Sequence, residues 1–83
     1  MDVPQSVLRV LGSVLNLGDR TARFTLDSPL LGAVPELDSM AVVSLLTALE
    51  EKFDFQVDDD EVDGQTFATV GSLVAFVESK LAT

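Results

Sequence analysis

Residues 38–53 read DSMAVVSLLTALEEKF, and this stretch has a clear helical pattern. Its apolar side chains recur at i, i+3, i+4, i+7 and i+11, the pattern of a helix with one buried face. That face consists of Val42, Leu45, Leu46, Leu49 and Phe53. Asp38 can accept from the N–H groups of the first turn, as N-cap residues do. The stretch therefore predicts an amphipathic helix from about Ser39 to Phe53.

Two other segments repeat this periodicity, from about Pro4 to Leu15 and from about Val70 to Leu81, with Thr69 as the expected cap of the last helix. A short helical turn is expected at 59–62. Residues 53–57 alternate like a strand but have no second strand to pair with. The sequence predicts an all-α fold, a bundle of three main helices and one short helix.

A long connection, from about Gly18 to Leu37, precedes the central helix. Its glycines and prolines are typical of turns. It also carries more apolar side chains than a solvated tether would, namely Phe24, Leu26, Leu30, Leu31 and Val34. Structureless loops of this length are uncommon in small domains. We expect these side chains to pin the loop across the core, with room for a short helical turn.

The composition indicates one soluble domain spanning residues 1–83, with 47% hydrophobic residues to build its core. There is no cysteine and no histidine, which excludes disulfides and the usual zinc sites. The net charge of −9 disfavours nucleic acids and anionic membranes and favours basic protein surfaces as partners. Because the sequence shows neither a membrane-spanning run nor a signal peptide, we expect a cytoplasmic protein. We also expect it to be a monomer.

Intrinsic catalysis is disfavoured. Without His or Cys the common general base and the thiol nucleophile are missing. No serine lies in a Gly-x-Ser-x-Gly turn, and no glycine-rich phosphate loop is present. The prediction is that the chain is not an enzyme; a small hydrolase is the alternative that these absences oppose.

The acidic run at 58–64 imitates the start of a calcium-binding EF-hand loop. Asp59, Glu61, Asp63 and Gly64 occupy its first, third, fifth and sixth positions. The twelfth position must supply a bidentate Glu, and here it is Val70. The run is therefore interpreted as a solvated loop with at most weak affinity for divalent ions, and no metal site is predicted.

The junction at Ser39 is the strongest candidate for chemistry. Its hydroxyl would lie in the positive field of a helix N-terminus, where an esterified phosphate meets free N–H groups. An Asp-Ser pair is also a common helix cap with no further role. These residues alone leave both interpretations open.

The residues around that junction resemble the acyl carrier protein family. Residues 38–40, Asp-Ser-Met, match its attachment triplet, and 49–53, Leu-Glu-Glu-Lys-Phe, match the end of the following helix. Residues 66–74 look like the family's entry into the last helix. The resemblance extends over nearly the whole chain, and it implies the acyl-carrier four-helix bundle.

The resemblance also implies a cofactor and partners. A phosphopantetheinyl transferase would attach 4'-phosphopantetheine from coenzyme A to Ser39, and the thiol of that arm would carry acyl groups as thioesters. Asp38 matches the acidic residue that helps to present the serine and magnesium during this transfer. Met40 replaces the commoner Leu, a nearly volume-conserving change. An acyl-loading ligase or acyltransferase and downstream biosynthetic enzymes would be the other partners.

Departures from the fatty-acid carriers point to a dedicated pathway. The first half of the central helix lacks their additional acids, and the approach to the serine at 32–37 is longer. Residues 31–40 resemble stand-alone carriers of bacterial exosortase and exopolysaccharide loci. A D-alanyl or peptidyl carrier is the alternative within the family, and a non-enzymatic helical adaptor is the alternative outside it.

Two further sets of residues are expected to serve the carrier. Glu50, Glu51 and Asp54 are predicted to steer basic partner surfaces; the alternative is that they only keep the protein soluble. The inward-facing side chains could separate to shelter an acyl chain, or could form a packed core without a pocket. They are Val42, Leu45, Leu46, Leu49, Phe53, Val57, Val62, Phe67 and Val74.

Overall fold

The computed structural model describes residues 2–82, and of Asp59 only the backbone. Its α-helices are α1 (Val3–Val14), α2 (Ser39–Phe53) and α3 (Val70–Ala82). Two short 3₁₀ helices, η1 (Gly18–Arg23) and η2 (Asp59–Glu61), lie in the connections. The all-α prediction is confirmed. The sequence placed a short helix at 59–62 and allowed a turn in the first loop, and the structure has a helix in each place.

Side chains fix where the α-helices begin. The carboxylate of Asp2 accepts from the Gln5 N–H at 3.2 Å, and Pro4 lies in the first turn of α1. Asp38 caps α2 by accepting from the Ala41 N–H at 2.8 Å. At α3, the Thr69 hydroxyl accepts from the Ser72 N–H at 3.0 Å while the Ser72 hydroxyl accepts from the Thr69 N–H at 3.0 Å. Each α-helix thus begins at a polar residue that satisfies free N–H groups.

One hydrophobic core joins the three α-helices. Leu11 of α1, Leu45 and Leu49 of α2, and Leu73 of α3 are completely buried. Among residues 2–82, the side chain of Asp59 aside, no polar or charged residue is buried. Hydrophobic burial therefore holds the bundle together.

The first loop contributes to this core, but not through all the side chains expected. Leu30 and Val34 are buried and Phe24 is half-buried. Leu26 and Leu31 were also expected to pin the loop, and they are 53% and 46% exposed. The loop is held near them through its backbone instead.

Four backbone hydrogen bonds of 2.7 to 3.0 Å join residues 26–31 to residues 67–71, and we call this set the cross-loop ladder. At one end the Gly71 N–H donates to the Leu26 carbonyl at 2.7 Å, and at the other the Leu31 N–H donates to the Phe67 carbonyl at 3.0 Å. A Cβ on Gly71 would lie only 2.8 Å from the Leu26 oxygen, so this close approach requires glycine. The ladder fixes the first loop against the start of α3.

Within residues 2–82, no helix has the length and apolar character needed to cross a bilayer.

Candidate functional site

Ser39 is the first residue of α2, and its side chain is exposed. The N–H groups of a helix's first turn have no acceptor within the helix, and the helix dipole places positive charge there. Asp38 satisfies the Ala41 N–H and is itself exposed. The hydroxyl is therefore accessible to an enzyme, at a position that favours a phosphate group.

An apolar cleft of about 290 Å³ opens beside Ser39. It lies between α2 and two loop segments, and its walls are formed by Leu31, Ser39, Val42, Val62, Asp63, Gly64 and Phe67. The carboxylate of Asp63 is turned onto its own loop, where it accepts from the N–H groups of Gln65 and Thr66 at 2.9 and 3.2 Å. The cleft therefore offers a hydrocarbon chain a site next to the exposed hydroxyl.

The predicted core set divides between the packed interior and this cleft. Five of its members are buried, namely Leu45, Leu49, Phe53, Phe67 and Val74. Val42, Leu46 and Val62 are half-buried and pack against the core. Val42, Val62 and Phe67 line the cleft. Val57 was expected in the core, but it is half-buried and lines an acidic groove at the other end of α2.

That acidic groove, of about 440 Å³, is formed by Glu50, Glu51 and residues 54–58. It brings together the three acids predicted to face partners. Glu51 and Asp54 are exposed, whereas Glu50 is half-buried and accepts from the Val57 N–H at 2.7 Å. Glu50 thus holds the chain that leaves α2, which is why Val57 stays beside the helix end. The side chains described do not gather three or more acids into a metal site.

Sequence reasoning missed three residues around Ser39. Leu31 and Gly64 line the cleft, and Val43 is 63% exposed on α2 near Met40, which is 77% exposed. Val43 lies outside the periodic stripe, so its exposure could be read from the sequence. The pairing of Leu31 with Gly64 could not, because it depends on how two loops are placed.

An ion pair holds the approach to Ser39. Arg20 of η1 donates through both terminal nitrogens to Glu36, with 3.0 Å between Nη2 and Oε1. The hydrogen bond from Arg20 is the main cause that lowers the pKa of Glu36 below its usual value.

A second ion pair joins Lys80 of α3 to Glu61 of η2 at 2.7 Å. The pKa of Glu61 is lowered first by the backbone N–H of Asp58 and then by Lys80.

Comparison with known proteins identifies the family. The model of the phosphopantetheine attachment site family matches residues 5–77. An acyl carrier protein from an Exiguobacterium species is 36% identical over 81 residues, covering 98% of this chain and 91% of the relative. A D-alanyl carrier protein from Lactobacillus acidophilus is also 36% identical over 81 residues, covering 95% of each chain.

A solved structure supports the same family. The solution NMR structure of a holo acyl carrier protein from Nitrosomonas europaea is 59% identical, covers all of both chains and superposes with a TM-score of 0.92. The resemblance noted at residues 38–53 is confirmed. The chain therefore belongs to the acyl carrier protein family, whose prosthetic group is 4'-phosphopantetheine and whose members are carriers and not catalysts.

Proposed function

We propose that Ser39 bears the 4'-phosphopantetheine arm and that the chain delivers acyl intermediates, held as thioesters, to the enzymes of a dedicated biosynthetic pathway. The observation that carries this proposal is the exposed Ser39 hydroxyl at the N-terminus of α2, beside an apolar cleft. An exposed hydroxyl is needed for attachment, and the cleft suits the cargo.

The residues at the start of α2 fit such an arm. The negative phosphodiester would lie next to the free N–H groups of the first turn, an arrangement that stabilises an anion by about 0.3–1 kcal/mol at an exposed helix end. Asp38 keeps that turn in place through its hydrogen bond to the Ala41 N–H. The arm supplies the reactive thiol, and tethering raises the local concentration of the cargo at each partner enzyme.

The character of the cleft favours an acyl chain over an amino acid as cargo. Leu31, Val42, Val62 and Phe67 surround it. Burying hydrocarbon against such walls is favourable, while burying the ammonium of an aminoacyl group is costly. A D-alanyl or peptidyl carrier remains the second candidate, because the Lactobacillus relative is a D-alanyl carrier and so small a cargo could stay outside the cleft.

The proposed partners are a phosphopantetheinyl transferase, an acyl-loading ligase or acyltransferase, and downstream enzymes. The acids of the groove at the end of α2 favour basic docking surfaces on these proteins. The resemblance of residues 31–40 supports a pathway of the exosortase or exopolysaccharide type, operating in the cytoplasm.

Intact-protein mass spectrometry tests the attachment. After incubation with coenzyme A and a broad-specificity transferase, the chain is expected to gain one phosphopantetheine group. Ser39→Ala should gain none, while Ser44→Ala, which alters another exposed serine of α2, should be modified like the unaltered chain. A folded protein that stays unmodified, or that is modified at another residue, would overturn the proposal and leave a helical adaptor.

A further inference from the structure

Gly64 is a glycine that the backbone does not require. Among the five glycines of the chain, Gly18 and Gly32 have positive φ values. Gly12 and Gly71 have another atom within 3 Å of where a Cβ would be. Gly64 shows neither constraint, because its φ lies outside the left-handed region and a Cβ there would meet only Leu31 Cδ2, at 3.8 Å. Since glycine costs conformational entropy, its presence here calls for another reason.

The reason lies in the cleft beside Ser39. Gly64 and Leu31 both line it, and the 3.8 Å distance places them next to each other. A Cβ at position 64 would be in ordinary van der Waals contact with Leu31 Cδ2, so a longer side chain that turns toward Leu31 would occupy the cleft. The missing side chain therefore leaves space that a hydrocarbon chain can use.

This part of the cleft cannot widen easily. The cross-loop ladder fixes Leu31 through the Phe67 carbonyl, at 3.0 Å. Gly64 belongs to the turn that leads into Phe67, and Asp63 and Thr66 close that turn by hydrogen bonds. The turn is further tied to α3, because the Ser72 hydroxyl donates to the Thr66 carbonyl at 2.9 Å. Hydrogen bonds thus join the loop that contains Leu31 and the turn that contains Gly64 into one unit.

We propose that Gly64 is a specificity-determining residue, which admits medium-length acyl chains to the cleft because it has no side chain. This inference rests on the proposed attachment at Ser39. A larger residue at position 64 would limit the cleft to the shortest acyl groups. Each methylene kept out of the cleft shifts the balance between sheltered and exposed chain by about fourfold toward the exposed form.

The melting temperature of loaded protein tests this assignment. The holo protein is loaded with acetyl, hexanoyl or decanoyl groups, and its melting temperature is followed by circular dichroism. In the unaltered chain the melting temperature should rise with acyl length, because a sheltered chain adds buried apolar area to the folded state. In Gly64→Leu this rise should be lost, and the decanoyl thioester should hydrolyse faster than in the unaltered chain.

Three companion variants make the result specific. Gln65→Leu adds the same side chain at the next, exposed position, which does not line the cleft, and should behave like the unaltered chain. Gly64→Ala should reduce the rise of the melting temperature with acyl length without abolishing it. If the leucine variant fails to fold, the alanine variant tests the role of Gly64 in its place. Leu31→Ala combined with Gly64→Leu should restore part of the dependence on acyl length by freeing the space again.

The outcomes separate this inference from the attachment itself. Loading without any dependence on acyl length in the unaltered chain would leave Ser39 as the attachment site and overturn the role of Gly64. So would an unchanged dependence in both Gly64 variants. Failure of Ser39 to be loaded at all would overturn the proposed function instead.

Discussion

The two ends of α2 present different surfaces to a partner. Around Ser39 the exposed side chains include Met40 and Val43, which are 77% and 63% exposed. At the other end Glu50, Glu51 and Asp54 line the acidic groove. Both ends share one core, since Leu45 and Leu49 between them are completely buried. The helix thus combines an apolar contact surface and a charged one on one rigid element.

The two surfaces act over different distances. Charges attract a partner over about 8 Å at physiological ionic strength, so we expect the acidic end to influence how fast complexes form. Apolar side chains contribute only once water has left the interface, so we expect the Ser39 end to influence how long complexes last. The two ends of α2 are thus predicted to govern association and dissociation separately.

Removing the apolar surface should have the largest effect. Met40→Ser combined with Val43→Ser is expected to weaken transferase binding and Ser39 modification by about tenfold, mainly through faster dissociation. Stability should change by only ~0.5 kcal/mol because both side chains are mostly exposed. Leu81→Ser, which removes an exposed leucine from α3, is the control. Kinetics by surface plasmon resonance check this, and an unchanged dissociation rate would contradict it.

Substitutions of two neighbouring glutamates separate the effect of the acidic end on association from its effect on stability. Glu50→Ala and Glu51→Ala should both slow association with a basic partner at low salt and flatten its salt dependence. Only Glu50→Ala should also destabilise the fold, by about 1 kcal/mol, because the Val57 N–H loses its acceptor. Urea unfolding and a salt series of association rates separate these effects. Equal stability of the two variants would show that the Glu50–Val57 bond contributes little.

The smallest effect concerns the Arg20–Glu36 pair at the approach to Ser39. The folded pKa of Glu36 lies below its ordinary value of 4.5. The ion pair therefore stabilises the folded state at higher pH, and this stabilisation is lost as the pH falls through the folded pKa. Arg20→Gln should therefore be slightly less stable than the unaltered chain at neutral pH, and this difference should vanish once the pH has fallen below the lowered pKa of Glu36.

Urea midpoints across a pH series measure the difference. Arg23→Gln is the matched control, since Arg23 lies in the same 3₁₀ helix and, among the described side chains, takes part in neither the Arg20–Glu36 nor the Lys80–Glu61 ion pair. A difference between Arg20→Gln and the unaltered chain that persists in acid would contradict the ion-pair explanation. High salt should reduce the difference, because both side chains are partly exposed.

The elements with a strong pattern could be predicted from the sequence. Helix α2 has the predicted bounds, and the caps at Asp38 and Thr69 are present. Periodicity and capping depend only on residues that are close together in the sequence, so both can be predicted from the sequence alone.

The loops could not be predicted in the same way. The cross-loop ladder uses backbone groups that every residue has, so the sequence carries no signal for it, and exposed Leu26 and Leu31 were expected to be pinned inside. Val57 is apolar and is predicted to lie in the core, yet its backbone is held beside α2 by Glu50. The cleft depends on the placement of two distant loops, so the sequence indicates Gly64 only as part of an acidic run.

The cross-loop ladder has a consequence for how the protein folds. Leu26 and Gly71 are more than half the chain apart, so closing the ladder is costly in chain entropy. Helices α1 and α2 can form by local contacts, whereas the cleft beside Ser39 needs a long-range step that brings Leu31 next to Phe67. A nascent chain that lacks the start of α3 would therefore display Ser39 before the apolar cleft beside it had formed.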